Sequence, residues 1–219
     1  MGPLDLTRPL VAGMPVYPGD PEVATTPVAS VAADGAAVTH LRCGTHSGTH
    51  VDAPAHVRGD GAAVDEVALD RFCGPLRLVR FSGLPARARV GAREVAARLG
   101  SAGAGDVVVL DLGWADRFDT PAVTEHPWRD ADVADLLLDR GVRTVGVDTL
   151  SPDPTGGPPG HGFPFHERWS AAGGVIYENL VPGVVPDDGA ERFFTGWPLR
   201  LRGLDGSPVR AVVLPGRRS

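Results

Sequence analysis

Apolar and polar positions along this chain follow the two-residue period of β-strands in some segments and helical spacing in others. Residues 106–112 form a β-branched apolar run, which is typical of a strand buried on both faces. Residues 143–148 have the same composition, and residues 75–81 alternate between apolar and polar side chains like a half-buried strand. Shorter strands are predicted at residues 37–43 and 174–178.

Helical spacing predicts α-helices at residues 92–99 and 130–140, and the glycine that follows each one favours a helix end there. A short helix is predicted at residues 165–171. Between the last two helices, the Pro/Gly-rich segment 151–164 predicts an irregular loop.

Near the C-terminus, residues 193–202 and 209–214 are predicted to pair as a hairpin, with Asp205-Gly206 as its turn. Strands and helices therefore alternate in the middle of the chain, and strand pairs lie near its end. This order predicts a mixed α/β fold, organised as one domain over residues 1–219, with loops long enough to carry functional side chains.

Composition and charge narrow the function classes. A chain of 219 residues can bury a core without disulfides, and its net charge of −6, with scattered arginines, argues against a nucleic-acid partner. No apolar run approaches the ~18–20 residues that span a bilayer, and the N-terminus lacks the layout of a signal peptide. We therefore expect a cytoplasmic protein with no membrane partner, in which Cys43 and Cys73 are reduced thiols.

Potential metal ligands are concentrated in one short segment. Three of the seven histidines fall within residues 46–56, which run His46-Ser-Gly-Thr-His50-Val-Asp52-Ala-Pro-Ala-His56. Imidazole nitrogen and carboxylate oxygen are the usual ligands of Zn²⁺ and of other divalent ions of borderline softness. Gly48 and Pro54 argue against a long helix and favour a tight, irregular turn that points several side chains inward. The segment predicts the core of a catalytic metal site, since a solvated loop would leave this density of ligand atoms unexplained.

The same segment resembles the signature of a known family. Residues 43–56 are similar to the signature of the metal-dependent cyclase family, which includes bacterial kynurenine formamidases (arylformamidases) and isatin hydrolases. Further segments that fit the family are residues 14–20, 146–153, 165–180 and 205–210. The matches follow the family's order along most of the chain.

The resemblance implies a role for several residues. The implied metal ligands are His46, His50, Asp52, His166 and Glu178, with Asp52 able to bridge two ions. His56 would be the proton donor and acceptor, and Tyr17 an aromatic wall against the substrate, where formamidases usually carry tryptophan. The resemblance further implies a swivelling β/β/α fold, Zn²⁺ as cofactor (two per chain, with Mn²⁺ as the alternative) and a homo-oligomer, either a dimer or a tetramer.

Independent chemistry supports these assignments unevenly. Glu178 ends an apolar strand, and burying a carboxylate needs a compensating charge, which a metal cation would supply. A histidine in a short helix, such as His166, is by itself more typical of a structural or exposed residue. Asp148 also ends an apolar strand, and either a role behind the metal ligands or a backbone cap accounts for it. His161 is expected to be an exposed loop residue.

The predicted reaction is metal-assisted hydrolysis of an amide, in which the cation activates water and His56 gives a proton to the leaving amine. N-formylkynurenine, an intermediate of tryptophan catabolism, is the first candidate substrate. The alternatives are a cyclic amide such as isatin and a secondary metabolite. A non-catalytic metal-binding scaffold is the alternative from another class, but structural zinc sites are usually rich in cysteine, and this segment is not.

Overall fold

The computed structural model describes residues 2–156 and 162–216. In this part of the chain a nine-stranded mixed sheet is accompanied by two small two-stranded sheets. The strands are β1 (Leu4–Asp5), β2 (Ala24–Ala29), β3 (Val38–Arg42), β4 (His50–Asp52), β5 (Cys73–Arg80), β6 (Arg89–Val90), β7 (Val107–Asp111), β8 (Trp128–Arg129), β9 (Thr144–Val147), β10 (Val175–Glu178), β11 (Arg192–Thr195), β12 (Gly206–Pro208) and β13 (Val212–Pro215). The α-helices are α1 (Val31–Asp34), α2 (Ala92–Leu99), α3 (Ala131–Asp139) and α4 (Pro164–Ala171).

The large sheet is parallel in its centre and antiparallel at both ends. Its order is β1-β13-β11-β5-β7-β9-β10-β4-β12, and β5, β7, β9 and β10 are the parallel members. The strand β4 pairs antiparallel with both β10 and β12. The prediction of a mixed α/β fold is confirmed.

The central strands are buried on both faces, as the apolar run at residues 106–112 predicted. Val108 and Leu110 pack into one apolar cluster with residues of α2, α3 and α4. Val107 and Val109 pack into a second cluster with Tyr177 and residues near both chain termini. The helices therefore cover one face of the sheet, and the N- and C-terminal strands contribute to the core on the other.

The predicted helices lie where the helical spacing placed them, with ends shifted by one residue or less. The side chain of Asp130 accepts a hydrogen bond from the Ala131 N–H (2.7 Å) and so begins α3. Pro164 occupies the first turn of α4, where its missing N–H costs no helical hydrogen bond.

The predicted C-terminal hairpin is right in its pairing but wrong in its extent and its turn. The strands β11 and β13 pair antiparallel, with Phe194 opposite Val213, but β11 ends at Thr195. Asp205-Gly206 makes no turn between them. It leads into β12, in which Gly206 lies opposite Asp52 of β4. A Cβ at Gly206 would come within 2.8 Å of the Val51 carbonyl oxygen, so glycine is needed here for close approach.

Cys43 and Cys73 are both free thiols, as expected. Among the helices of residues 2–156 and 162–216, none has the length and apolar character required to cross a bilayer. His161 lies outside the described residues.

Candidate metal centre

The candidate metal centre lies where β4, β10 and α4 meet. His50 and Asp52 are two residues apart on β4, so their side chains point to the same face of the sheet. Glu178 of β10 lies directly opposite His50 in the antiparallel ladder, which places its carboxylate beside that imidazole. The helix α4 brings His166 over the same face.

The chain enters β4 through an irregular segment. Gly48 has a φ of +62°, and a Cβ there would lie 3.0 Å from Leu10. The prediction of an irregular turn is therefore right up to Thr49, but it is wrong for His50–Asp52, which form a strand. Only three residues long, β4 is held by hydrogen bonds to strands distant in sequence, so the local pattern could not predict it.

Asp52 and Glu178 each direct one carboxylate oxygen towards the side of the centre that holds His50 and the other oxygen towards His166. Asp52 Oδ1 lies 2.7 Å from His46 Nδ1 and 3.2 Å from His50 Nε2, whereas Asp52 Oδ2 lies 3.4 Å from His166 Nε2. Glu178 Oε2 lies 3.4 Å from His50 Nε2, and Glu178 Oε1 lies 3.3 Å from His166 Nε2. All five predicted ligands are therefore brought together.

Several of these atoms are buried without a hydrogen bond. In the described part of the chain they are His50 Nε2, Asp52 Oδ2, His166 Nε2 and Glu178 Oε1. A buried polar group without a partner costs ~1–3 kcal/mol, so four facing one another need an explanation. Imidazole nitrogens and carboxylate oxygens are the ligand atoms that Zn²⁺ takes, and this donor set therefore fits a divalent cation.

In each of the three imidazoles predicted to be ligands, the second nitrogen is held from outside the centre. His50 Nδ1 lies 2.8 Å from the Gly48 carbonyl oxygen, His166 Nδ1 lies 2.6 Å from Asp153 Oδ2, and His46 Nε2 lies 3.0 Å from Asp205 Oδ2. Metal-ligating histidines almost always donate this second N–H to such an acceptor, which fixes the tautomer and the ring orientation. The geometry therefore directs one nitrogen of each ring towards the centre.

The charges of the centre favour a cation. Burial alone would lower the pKa of His50, but Asp52 and Glu178 raise it to about 10. The pKa of His166 is likewise raised well above its usual value by Asp153, Asp52 and Glu178, against the effect of burial. Burial opposes ionisation of Asp52, yet His50, His166 and His46 hold the pKa of Asp52 well below its usual value. The Asp52 carboxylate is therefore ionised, and positive charge is stabilised beside it.

The other two predicted residues lie at the mouth of the centre. The rings of His56 and His46 are in contact, with centroids 3.9 Å apart, and the side chain of His56 is 32% exposed. Partial burial lowers the pKa of His56. Tyr17 and His56 both line a cavity of about 330 Å³ that also contains Phe163 and Leu150. A larger groove of about 600 Å³ lies between β5, β11 and β13, away from the centre.

Other polar residues have structural partners. Asp148 accepts hydrogen bonds from the backbone N–H groups of Leu112 (3.0 Å), Trp114 (2.6 Å) and Ala115 (3.3 Å), so the backbone-cap alternative is the correct one. His126 is buried, with its ring nitrogens 2.9 Å from the Pro127 carbonyl oxygen and 2.7 Å from Thr155 Oγ1.

The sequence reasoning did not identify Asp153 and Asp205 as parts of the centre. Both lie in segments that carry the family resemblance, but neither is near the histidine-rich segment in sequence. Asp153 also accepts hydrogen bonds from the backbone N–H groups of Phe165 (2.9 Å) and His166 (3.1 Å), so it caps α4 and holds its histidine at once. No local signal indicates this role, because Asp153 lies far before the start of α4 at Pro164, and a capping aspartate is expected immediately before a helix.

With the geometry established, comparisons with known proteins identify the family. The model of the Cyclase family matches residues 4–154. The chain belongs to the Cyclase family. A kynurenine formamidase from Salinibacter ruber is 35% identical over 225 residues, covering 97% of this chain and 97% of that protein.

Solved structures agree on the Cyclase-family fold. A potential metal-dependent hydrolase with cyclase activity is 27% identical and superposes with a TM-score of 0.80 over 99% of this chain and 98% of its own. An isatin hydrolase bound to the product analogue thioisatinate superposes with a TM-score of 0.86 over 98% of this chain and 92% of its own. Its sequence identity is 24%, so this likeness concerns the fold.

Proposed function

We propose that this Cyclase-family chain hydrolyses the formamide bond of N-formylkynurenine and releases formate and kynurenine. The observation that carries the proposal is the set of four buried, unpartnered ligand atoms beside a cavity with an aromatic wall. The kynurenine formamidase of Salinibacter ruber, which matches almost the whole chain, supports this substrate. The chain is accordingly a hydrolase of amide C–N bonds.

We propose two Zn²⁺ ions per chain, with Mn²⁺ as the alternative. One ion would be held by His46, His50 and Asp52, and the other by Asp52, His166 and Glu178. Two oxygens of one carboxylate that face different imidazoles suit a bridging ligand, and both Asp52 and Glu178 have this arrangement. Such ions supply a Lewis acid for the carbonyl group and lower the pKa of water.

Hydrolysis requires a water oxygen to form the new C–O bond while the C–N bond breaks and its nitrogen gains a proton. We assign that proton transfer to His56, whose imidazole is partly exposed at the cavity and lies 5.6 Å (ring centroids) from His166. An arylamine is a weaker base than an alkylamine, so one imidazole acid suffices. Asp153 and the Gly48 carbonyl keep His166 and His50 oriented throughout.

The cavity suits a planar aromatic substrate. The rings of Tyr17 and Phe163 meet edge to face, with centroids 6.4 Å apart, and Leu150 and Val57 add apolar surface to the same cavity. A benzene ring placed against Tyr17 and Phe163 would bury apolar area on both, which favours aryl over alkyl formamides. We therefore assign the aromatic wall to Tyr17, with Phe163 as a second aromatic side.

A cyclic amide such as isatin is the second candidate substrate, favoured by the close superposition with an isatin hydrolase. Action on a secondary metabolite is the third. The non-catalytic scaffold would return only if the protein, supplied with Zn²⁺ or Mn²⁺, hydrolysed no formanilide, lactam or ester.

We also propose a homo-oligomer, a dimer or a tetramer. The pair β2–β3 forms an arm on which every residue of Val38–Arg42 is exposed, and Val28 and Leu41 are 66% and 51% exposed. A two-stranded hairpin is marginally stable in water by itself, so a second copy packed on the arm would account for it. Light scattering at several protein concentrations tests this, and a monomer throughout would refute it.

We propose that residues 1–219 form one domain. The support is that β1 and β13, which lie near opposite ends of the chain, pair in the large sheet. A cytoplasmic location and a role in tryptophan catabolism stay predictions.

The test of the function is a spectrophotometric comparison of N-formylkynurenine and isatin, with protein reconstituted separately with Zn²⁺ and Mn²⁺. We expect rapid release of kynurenine with Zn²⁺ and slow or no opening of isatin. Preference for isatin with Mn²⁺ would reverse the order of the two candidates.

A further inference from the structure

Asp205 is placed beside the metal centre by the main chain. Its carbonyl oxygen accepts a hydrogen bond from the Ala53 N–H (2.9 Å), and the next residue, Gly206, lies opposite Asp52 in the β12–β4 ladder. A Cβ at Gly206 would approach His46 Cε1 to 2.9 Å, so the glycine lets this imidazole lie against β12. The strand therefore delivers an aspartate to the outer side of the histidine-rich segment.

The Asp205 carboxylate faces two imidazoles with one oxygen. Oδ2 lies 3.0 Å from His46 Nε2 and 3.8 Å from His56 Nδ1. Oδ1 accepts a hydrogen bond from Thr45 Oγ1 (3.0 Å), which fixes the orientation of the carboxylate. The same oxygen is therefore in position to serve a metal ligand and the proton carrier together.

We propose that Asp205 is a positioning residue that orients both His46 and His56. With Nε2 of His46 held by Asp205, Nδ1 is the nitrogen directed at Asp52, 2.7 Å away. With Nδ1 of His56 directed at Asp205, Nε2 is left to face the substrate. The His56 part of this inference rests on the proposed function, and the His46 part does not.

The distance to His56 is compatible with this role. A ring movement of about 1 Å would bring His56 Nδ1 within hydrogen-bonding range of Asp205, and catalytic hydrogen bonds are often longer before substrate binds. A carboxylate behind an imidazole selects its tautomer and stabilises the imidazolium that forms during turnover. Asp205 itself is 43% exposed and touches no reacting atom, so its action is through the two histidines.

Three substitutions test the proposal. Asp205→Ala removes the carboxylate, Asp205→Asn keeps an acceptor of the same shape without the charge, and Thr45→Val removes only the hydroxyl that orients Asp205. The matched control is Asp65→Asn. Asp65 accepts a hydrogen bond (2.8 Å) from the N–H of Gly203, which lies in the same loop as Asp205, but Asp65 contacts neither histidine.

The first measurement is Zn²⁺ affinity of the metal-free protein, by competition with a chromophoric chelator. Loss of a group that orients a metal-bound histidine typically lowers affinity by about 10–100-fold. For Asp205→Ala we expect a loss of this size in the affinity for one of the two Zn²⁺ ions. We expect smaller losses of affinity for Asp205→Asn and Thr45→Val, and none for Asp65→Asn. Unchanged affinity in a folded Asp205→Ala protein would overturn the His46 part.

The second measurement is the tautomer of His56 in the zinc-loaded protein, from ¹⁵N chemical shifts of the imidazole. We expect the proton on Nδ1 in the wild type and in Asp65→Asn, and a shift towards Nε2 in Asp205→Ala, with kcat reduced and KM little changed. An unchanged tautomer would overturn the His56 part. If the wild type fails to hydrolyse N-formylkynurenine, the proposed function fails, and affinity and tautomer still decide the role of Asp205.

Discussion

Two groups of buried polar residues, Asp148 with His126 and the cluster around Asp52, differ in what satisfies their polar atoms. Around Asp148 and His126 the carboxylate oxygens and ring nitrogens have partners in the backbone and in Thr155. Around Asp52, by contrast, carboxylate oxygens and imidazole nitrogens face one another, and four of them have no partner in the described residues. Asp148 and Glu178 both lie at the end of a buried apolar strand, so burial alone does not separate structure from function.

The difference separates residues that stabilise the fold from residues that are arranged to bind a cation. A carboxylate that accepts three backbone N–H groups, such as Asp148, holds the fold together and has little capacity left for a ligand. The imidazoles of His50 and His166 have a hydrogen-bond partner at the outer nitrogen and none at the inner nitrogen. This arrangement suits a cation. Substitutions in the Asp52 cluster should therefore affect metal binding and turnover, and substitutions in the other cluster should affect unfolding.

The largest effect is expected for Asp52→Ala. Asp52 faces His46, His50 and His166, so its loss removes a ligand from both halves of the centre. We expect bound metal to fall below one equivalent per chain and turnover of N-formylkynurenine to fall to background. Elemental analysis and the kynurenine assay measure this, with circular dichroism to show that the fold persists. Wild-type metal content in the variant would remove Asp52 from the ligand set.

The next largest effect is expected for His56→Ala. Loss of a general acid and base lowers turnover by about 10²–10⁴-fold, whereas the five other residues still bind metal. Steady-state kinetics and metal content of the same sample measure the two effects separately. Loss of metal would instead make His56 a ligand, which its closeness to Asp52 and His166 would explain.

The sequence predicted the parts of the fold and the site that depend on local patterns. The buried strand β7, the helix α2 and the dense segment from His46 to His56 all have a period or a spacing that is visible without the structure. Asp205-Gly206 was misassigned because a turn and a close approach to His46 both require glycine, and only the β4–β12 pairing distinguishes them. Asp153 was missed because its partner His166 joins it only when α4 folds back.

An intermediate effect, on stability, is expected in the other cluster. Burial lowers the pKa of His126 to about 4. Between an unfolded pKa near 6.5 and that value, the unfolded state binds a proton that the folded state does not, so stability falls as pH falls, by about 3 kcal/mol. Urea unfolding from pH 7 to pH 4, with metal removed from the protein by a chelator, measures this change in the free energy of unfolding.

The matched variant for that measurement is His126→Gln. The amide does not titrate, so the variant should lose most of the slope of the unfolding free energy over this pH window. Turnover with saturating metal should stay near that of the wild type at pH 7. An unchanged slope in the variant would show that other groups cause the acid sensitivity.

The smallest effect is expected at the aromatic wall. Phe163→Ala removes one of the two rings of the cavity, and an aromatic contact worth about 1.4 kcal/mol corresponds to a tenfold rise in KM. Turnover at saturating substrate should change little. Tyr17→Phe is the matched control, since it keeps its ring and should keep KM near the wild-type value. A fall in kcat with constant KM in Phe163→Ala would place Phe163 in the chemistry rather than in binding.

The most direct test of the metal centre is anomalous diffraction at the zinc edge from crystals grown with Zn²⁺. We expect one peak among His46, His50 and Asp52 and another among Asp52, His166 and Glu178. Zinc-saturated crystals without a peak among these side chains, or with zinc bound only elsewhere, would contradict the account.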